Sequence, residues 1–173
     1  MVLAVDSKCK GSVLLPYLSS DWQKELKTSE EYRVRFVPAK SLLLKSGRYD
    51  LLSKYLYIDA YSKGLECQWF EDLYLQYIFY FNNFIEDNAD TKKVGKKSFI
   101  ENFKQLYISI KEKGYDPLKG LIPVSRSLTP IDGGHRIAIC ALLNLDVQIL
   151  FLDTETNFNY SYFQKKRHGP TLS

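Results

Sequence analysis

Residues 130–136, Pro-Ile-Asp-Gly-Gly-His-Arg, bring together the side chains of this sequence that could do chemistry. The two adjacent glycines have no Cβ, so the backbone can turn tightly there and approach a ligand closely. His135 and Arg136 follow at once and add hydrogen-bond donors and charge. A helix beginning after the glycines would point its free N–H groups and its positive dipole end at the turn. This combination is typical of an anion-binding turn, most naturally for phosphate.

The segments on either side of this turn predict the elements that would position it. Gly120–Val124 reads as a short strand, and apolar residues at helical spacing from Ile137 to Leu145 predict a helix. The apolar run Val147–Leu152 is typical of a buried strand. Strand, turn, helix and strand form the frame that a phosphate loop needs. The alternative is an ordinary Asp-Gly-Gly loop before a solvated helix start, because Asp-Gly pairs are common in turns.

Composition limits the classes of protein to be considered. With 173 residues, 45% of them hydrophobic and 25% charged, the chain is expected to form a single domain spanning 1–173. A net charge of +4 is too small to indicate nucleic acid without a basic patch. The three dispersed cysteines fit a reducing compartment and show no metal-ligand spacing, so no metal site is predicted. No signal peptide or membrane-length apolar run is found, so we expect a cytoplasmic protein.

The middle of the chain, about 48–114, is predicted to be helical and rich in aromatic residues. The expected helices are Tyr49–Lys63, Trp69–Phe84 and Ser98–Lys113, and the last begins with a Ser-x-x-Glu capping box. Polar residues between the second and third helices, from Asp87 to Lys97, predict a solvated loop. The second helix is apolar nearly all round and is expected to be buried. Its aromatic residues favour a core, and the alternative is a stacking platform for bases or sugars.

The first part of the chain gives weaker signals. Val2–Val5 is a candidate strand, and a short helix is expected near Trp22. A clearer strand is predicted at Val34–Val37, with Ser41–Leu44 continuing it beyond Pro38.

At this point the segment Lys113–Asp153 resembles the ParB/sulfiredoxin superfamily. In that family a helix ends in glycine, two strands lead to a Gly-rich turn with a basic pair, and an alanine-rich helix and a final strand follow. The corresponding segments here are Lys113-Gly114, Leu121–Val124, Leu128–Ile131, Asp132–Arg136, Ile137–Asn144 and Val147–Leu152, with an approximate first box at Val37–Leu42. The resemblance implies an α/β (α+β) fold with a small mixed sheet, a phosphate-loop core at about 114–153 and a helical insertion at about 48–114.

The family's branches differ in the residues of this motif. Sulfiredoxins have an attacking cysteine before the histidine, whereas Gly134 runs straight into His135, and Cys140 is expected to face the core. Chromosome-partition ParB proteins continue into a helix-turn-helix domain, for which the 21 residues after Leu152 leave no room. The remaining branch is the ParB-fold small-molecule kinase, whose Asp-Gly-His motif holds nucleotide phosphates.

By this resemblance the protein is expected to be a kinase of a small hydroxyl metabolite, an amino acid or a sugar precursor, using ATP (or ADP or CTP) with Mg²⁺. Gly133 and Gly134 would hold phosphate oxygens, and His135 and Arg136 would contact the transferring group. Asp132 either orients His135, approaches the metal or begins the helix as a cap.

Two residues outside the turn complete the expected site. Asp50 is the nearest candidate for the base that activates the acceptor, and the alternative is that it caps the helix near Leu51. Its neighbour Arg48 is a candidate nucleotide contact. Two other functions stay open, a non-catalytic nucleotide-binding or regulatory module and a ParB-like nuclease or nucleic-acid binder; the low net charge counts against the latter.

Overall fold

The computed structural model describes residues 6–45, 47–66, 68–87 and 92–155. The expected strand at Val2–Val5 lies outside these residues. The strands are β1 (Asp6–Lys10), β2 (Glu31–Pro38), β3 (Ile85–Asp87), β4 (Lys92–Val94), β5 (Ile122–Val124) and β6 (Asp146–Phe151). The helices are α1 (Gly11–Leu14), α2 (Ser20–Gln23), α3 (Ala39–Lys45), α4 (Tyr49–Ser62), α5 (Gln68–Asn82), α6 (Gly95–Lys113) and α7 (Gly134–Leu142), with 3-10 turns at Leu15–Tyr17 and Pro117–Lys119.

Four strands form a small mixed sheet in the order β1-β2-β6-β5. The β1–β2 and β2–β6 pairs are antiparallel, with Val34 opposite Leu150, and β5 runs parallel to β6, with Ile122 opposite Ile149. Parallel neighbours need a crossover connection, and α7 supplies it. The strand, turn, helix and strand predicted around the glycines are therefore present, and the mixed α/β class is confirmed.

The sheet is buried on both faces around β6. Val147, Gln148, Ile149 and Leu150 have no exposed surface, as expected for a strand covered on both sides. One face packs against α7 and the helices of the middle segment through Val147 and Ile149. The other face packs through Leu150 against the first part of the chain, α1 and its neighbours. The α7 helix is therefore held between the sheet and α4, which fixes where its first turn lies.

Three local predictions are wrong. Ser41–Leu44 does not extend β2 but lies in α3, because the chain leaves the sheet at Pro38. The polar stretch after Asp87 is not only a loop, since β3 and β4 form a hairpin. That hairpin delivers the chain directly into α6, which begins at Gly95 with no side-chain cap. Ser98 is therefore inside the helix, and the predicted capping box does not form.

Two further expectations fail for reasons of packing. Leu128–Ile131 is not a strand, because the chain turns sharply at Leu128 (φ +63°) and only Pro130 forms a bridge to Val124. The α5 helix is not buried all round. Trp69 is 62% exposed and Phe79 48% exposed, because only one side of α5 meets the rest of the chain.

Candidate functional site

The glycine turn is a left-handed entry into α7. Gly133 precedes the helix with φ +77° and ψ +17°, a conformation that glycine adopts without strain. Its carbonyl accepts the N–H of Ile137 at 3.0 Å, which begins the helical hydrogen bonds. The N–H groups of the first helical turn and the dipole end lie here, as the sequence predicts for an anion-binding turn.

Both glycines are also required by packing inside the protein. A Cβ on Gly133 would lie 3.0 Å from Cγ1 of Ile122, and one on Gly134 would lie 3.0 Å from Cδ2 of Leu51 and 3.5 Å from Cε of Lys54. Helix α4 therefore covers one side of the turn. Gly134, His135 and Arg136 nevertheless keep part of their surface exposed. The turn is reachable from solvent, but it is less open than the sequence predicts.

Asp132 stabilises the turn by accepting two hydrogen bonds. Its Oδ1 accepts the N–H of Gly133 at 2.6 Å, and its Oδ2 accepts the hydroxyl of Ser19 at 2.9 Å. Both oxygens are thus used at the start of the helix and at its contact with the first part of the chain. Of the roles considered for Asp132, this geometry favours the helix-start residue over a group that orients His135.

A buried cluster of charges from α4 meets the turn. Arg48 donates to Asp50 through Nε at 2.8 Å and Nη2 at 2.6 Å, and Lys54 Nζ donates to Oδ2 of Asp50 at 2.7 Å. Arg48 Nη1 also donates to the carbonyl of Pro130 at 2.7 Å. All three side chains are at most 6% exposed. The structure thus brings Arg48 and Asp50 to the glycine turn, which begins 82 residues after Arg48 in the chain, and adds Lys54.

The environment of Asp50 makes it a poor proton acceptor. Burial acts to raise the pKa of Asp50, but Lys54 and Arg48 outweigh it and hold that pKa well below its usual range. Burial also lowers the pKa of Lys54, against the attraction of Asp50. Asp50 lies in the first turn of α4, and no side-chain cap precedes that helix, so the capping alternative is not found either. Its geometry is that of a shared counter-ion.

His135 points into the aromatic part of the helical segment. The hydroxyl of Tyr74 lies 3.0 Å from its Nε2, and the ring of Phe103 meets it edge-on at 4.6 Å between centroids. Burial, followed by the charges of Lys54, Lys93 and Arg136, lowers the pKa of His135 well below 6.5. Burial raises the pKa of Tyr74. A neutral imidazole thus faces a protonated phenol, and the imidazole tautomer decides which of the two donates, since the Tyr74 hydroxyl also lies 3.5 Å from the carbonyl of Phe99, to which it can donate.

Arg136 lies on the outer side of the α7 start. Its Nη2 donates to the carbonyl of Lys119 at 3.2 Å. Gly120 makes this possible, because any Cβ there would collide with the Arg136 guanidinium. With one bond to a backbone carbonyl, Arg136 keeps further N–H donors for an anion.

Sequence reasoning missed Lys54 and Tyr74. Lys54 follows Asp50 at the i, i+4 spacing of a helical ion pair, a signal that the sequence carries. Tyr74 is one aromatic among many in its segment, and only the packing of α5 selects it. Cys140, as expected, is fully buried, and burial raises the pKa of its thiol to about 12.

Two large cavities lie elsewhere on the helical segment, with volumes of about 610 and 660 Å³. Neither is lined by a residue of the glycine turn. Within the described part of the chain, no three His, Cys, Asp or Glu side chains are grouped so as to hold a metal ion. No helix among these residues has the length and apolar character needed to cross a bilayer.

Comparison with family models, curated proteins and solved structures finds no match for this chain. The likeness to the ParB/sulfiredoxin superfamily therefore remains a hypothesis based on the motif.

Proposed function

We propose that the start of α7 binds the phosphates of a nucleotide and that the protein transfers a phosphoryl group to a small hydroxyl metabolite. The observation that carries this proposal is the positive charge at the start of α7, where Arg136 lies beside the positive end of the helix dipole. The buried cations Arg48 and Lys54 meet the same turn, but Asp50 pairs with both of them. Arg136 and the helix dipole favour a negatively charged ligand at the same point.

The charges around His135 support the same ligand. Lys54, Lys93 and Arg136 all lie close enough to lower the pKa of His135, while Asp50 acts in the opposite direction. Asp132 adds a second negative charge near Lys54. These two carboxylates balance Arg48 and Lys54, so Arg136 and the helix dipole leave the start of α7 with an excess of positive charge.

The roles proposed for individual residues follow from their contacts. Backbone N–H groups of Gly134 and its successors would face phosphate oxygens, and Arg136 would contact the transferring group. Asp50 is proposed as a positioning residue that holds Arg48 and Lys54, because both of its oxygens are already bonded. A nucleoside triphosphate would supply the phosphoryl group, with Mg²⁺ arriving on its phosphates, since Mg²⁺ needs only one or two protein carboxylates. A cytoplasmic location belongs to the same proposal.

A second candidate is a nucleotide-binding or regulatory module without chemistry. It is favoured by the lack of an open base at the turn: Asp50 is buried between two cations, and Nε2 of His135 is bonded to Tyr74. Phosphoryl transfer to a hydroxyl needs some group to take the hydroxyl proton. Binding without that group would leave nucleotide affinity but no turnover.

The test is calorimetric titration of the full chain with ATP, ADP and CTP, each with and without Mg²⁺. Arg136→Gln should weaken nucleotide binding by about tenfold or more, because a charge-assisted hydrogen bond to phosphate is lost. Arg126→Gln is the matched control. The Arg126 side chain is exposed and pairs with Asp153 rather than with a residue of the turn. Its replacement should therefore leave nucleotide affinity unchanged.

Turnover separates the two candidate functions. Release of ADP that depends on a hydroxyl metabolite would support the kinase, whereas binding without such release would support the regulatory module. If no nucleotide binds, or if both arginine variants bind as the unaltered protein does, the phosphate-site proposal is refuted.

A further inference from the structure

We propose that the cavity between α4, α5 and α6 is a second ligand site, which binds a small zwitterion carrying both an ammonium and a carboxylate group. The cavity has a volume of about 610 Å³ and is lined by Tyr57, Ala60, Tyr61, Leu65, Glu71 and Lys104, among others. None of these residues belongs to the glycine turn. The inference does not depend on nucleotide binding, and it adds a second small molecule to the protein's function.

The hydroxyl of Tyr57 is the first observation behind this site. Tyr57 is only 5% exposed, and its hydroxyl has no hydrogen-bond partner at bonding geometry among the described residues. A buried hydroxyl without a partner is destabilising, so native proteins rarely keep one without a reason. Burial raises the pKa of Tyr57, and the Glu71 carboxylate raises it further by its charge and by a hydrogen-bond interaction with the hydroxyl that falls outside strict bonding geometry. A hydroxyl oxygen and a carboxylate thus lie next to each other at the cavity wall, where both can accept hydrogen bonds from a ligand.

The charges of the cavity define the class of ligand. Glu66 and Glu71 provide two carboxylates, and Lys104 provides the ammonium group on the opposite helix. Lys104 Nζ lies 4.9 Å from the ring centroid of Tyr61, and no described carboxylate forms a salt bridge with it. An ammonium group of the ligand would bind at Glu71 and the Tyr57 oxygen, while a ligand carboxylate would pair with Lys104.

The remaining wall mixes polar and apolar groups, since Gln68 lines it beside Ala60 and Leu65, and its apolar part would accommodate the hydrocarbon or aromatic body of a ligand. Ala60 lies at the base on α4, and Leu65, 58% exposed, lies at the rim. The ring of Tyr61, also on α4, adds a flat aromatic face to the wall. Small-molecule sites usually combine apolar surface with polar groups that fix the orientation of the ligand. An α-amino acid with an apolar side chain has the required groups.

The cavity is connected to the candidate phosphate site through two stacked rings. Tyr57 lies parallel to Tyr74, with centroids 5.0 Å apart and an interplanar angle of 9°. Tyr74 in turn bonds to His135 at 3.0 Å. Only the ring of Tyr57 would therefore separate a ligand bonded to its hydroxyl from Tyr74, the residue that contacts His135.

The experiment is calorimetric titration of the full chain with each standard amino acid, with butylamine and butyrate as probes carrying a single charge. We expect at least one apolar amino acid to bind and both single-charge probes to bind more weakly. Tyr57→Phe should weaken binding of that amino acid by about tenfold, through loss of one hydrogen bond, without lowering Tm. Glu71→Gln and Lys104→Gln should each weaken it by a similar factor while leaving nucleotide affinity unchanged.

Matched controls lie on the outside of α6. Glu101 and Lys97 carry the same charges as Glu71 and Lys104, pair with each other at 3.8 Å, and do not line the cavity. Glu101→Gln and Lys97→Gln should keep full affinity. The proposal is overturned if no amino acid binds, if butylamine or butyrate binds as tightly as the best amino acid, or if Tyr57→Phe keeps full affinity. A clear loss of Tm in Tyr57→Phe would also overturn it, because the hydroxyl would then have a structural partner.

Discussion

Asp50 forms ion pairs with two cations at once, and this double pairing sets how much its replacement should destabilise the candidate site. Arg48 and Lys54 both bond to it, with all three side chains almost fully buried. A buried pair is a weak source of net stability, but removal of one partner leaves uncompensated charge in a medium of low polarity. Here the loss of Asp50 would leave two such charges. The residue's main effect is therefore expected on stability and positioning.

Asp50→Asn should lower the free energy of unfolding by roughly 3–5 kcal/mol, because the amide cannot neutralise the buried cations. Urea denaturation at pH 7 measures this. Asp59→Asn is the matched control on the same helix: its i, i+4 bond to Lys63 is also 2.7 Å, but Lys63 is 59% exposed. That variant should lose less than about 1 kcal/mol. Equal small losses in both variants would contradict the buried-cluster interpretation and return Asp50 to the list of candidate bases.

At the scale of elements, the start of α7 depends on two neighbours. The left-handed Gly133 lies against Ile122 of β5, and Gly134 lies against Leu51 of α4. The turn is thus shaped by the strand before it and by a helix from a distant part of the chain. Any side chain at Gly133 meets both an unfavourable φ and a crowded contact.

Gly133→Ala should therefore be more destabilising than an equivalent change at an open glycine. Gly64 is the control, with φ +67° and no atom within 4 Å of an added Cβ. Gly64→Ala should cost about 1 kcal/mol from conformation alone. Gly133→Ala should cost about 1–3 kcal/mol more, from overpacking against Ile122.

Chemical denaturation of both variants measures the difference. In an Ile122→Ala background the extra loss should shrink, since the crowding atoms are gone. Equal losses for the two glycines in the unaltered background would show that packing contributes nothing at the turn.

For the whole molecule, acid stability combines the contributions of the titratable groups whose pKa values change on folding. The folded pKa of His135 is lowered below 6.5, so the unfolded chain binds its proton more readily. Stability from His135 is then complete above about pH 6.5 and is lost as pH falls toward the folded pKa. The folded pKa of Asp50 is also lowered, so its contribution is present above about pH 4 and is lost only in stronger acid.

The free energy of unfolding should accordingly fall between pH 7 and pH 5 with a slope of up to about 1.4 kcal/mol per pH unit. Urea titrations at pH 7, 6 and 5 measure that slope. His135→Gln should flatten it without changing the loss below pH 4. A flat profile in the unaltered protein would mean that His135 titrates normally.

Local sequence patterns were sufficient to predict those elements whose buried residues recur at the period of a helix or a strand. The strand near Val147, the helix beginning at Tyr49 and the glycine turn between a strand and a helix could all be predicted from the sequence, although the helix predicted from Ile137 already begins at Gly134. Predictions failed where a neighbour decides the outcome. Gly95 begins α6 because the β3–β4 hairpin leads into it, and that hairpin overrides the capping signal at Ser98.

By itself, the sequence determined that a glycine turn precedes a helix between two strands, because backbone freedom and apolar periodicity are properties of short segments. Only the tertiary structure decided what lies against that turn. It placed Leu51 and Lys54 against Gly134, turned His135 toward Tyr74 and left the cavity beside Tyr57 open. These contacts join residues far apart in the chain, and they depend on how α4 and α5 pack on α7. No local pattern encodes that packing.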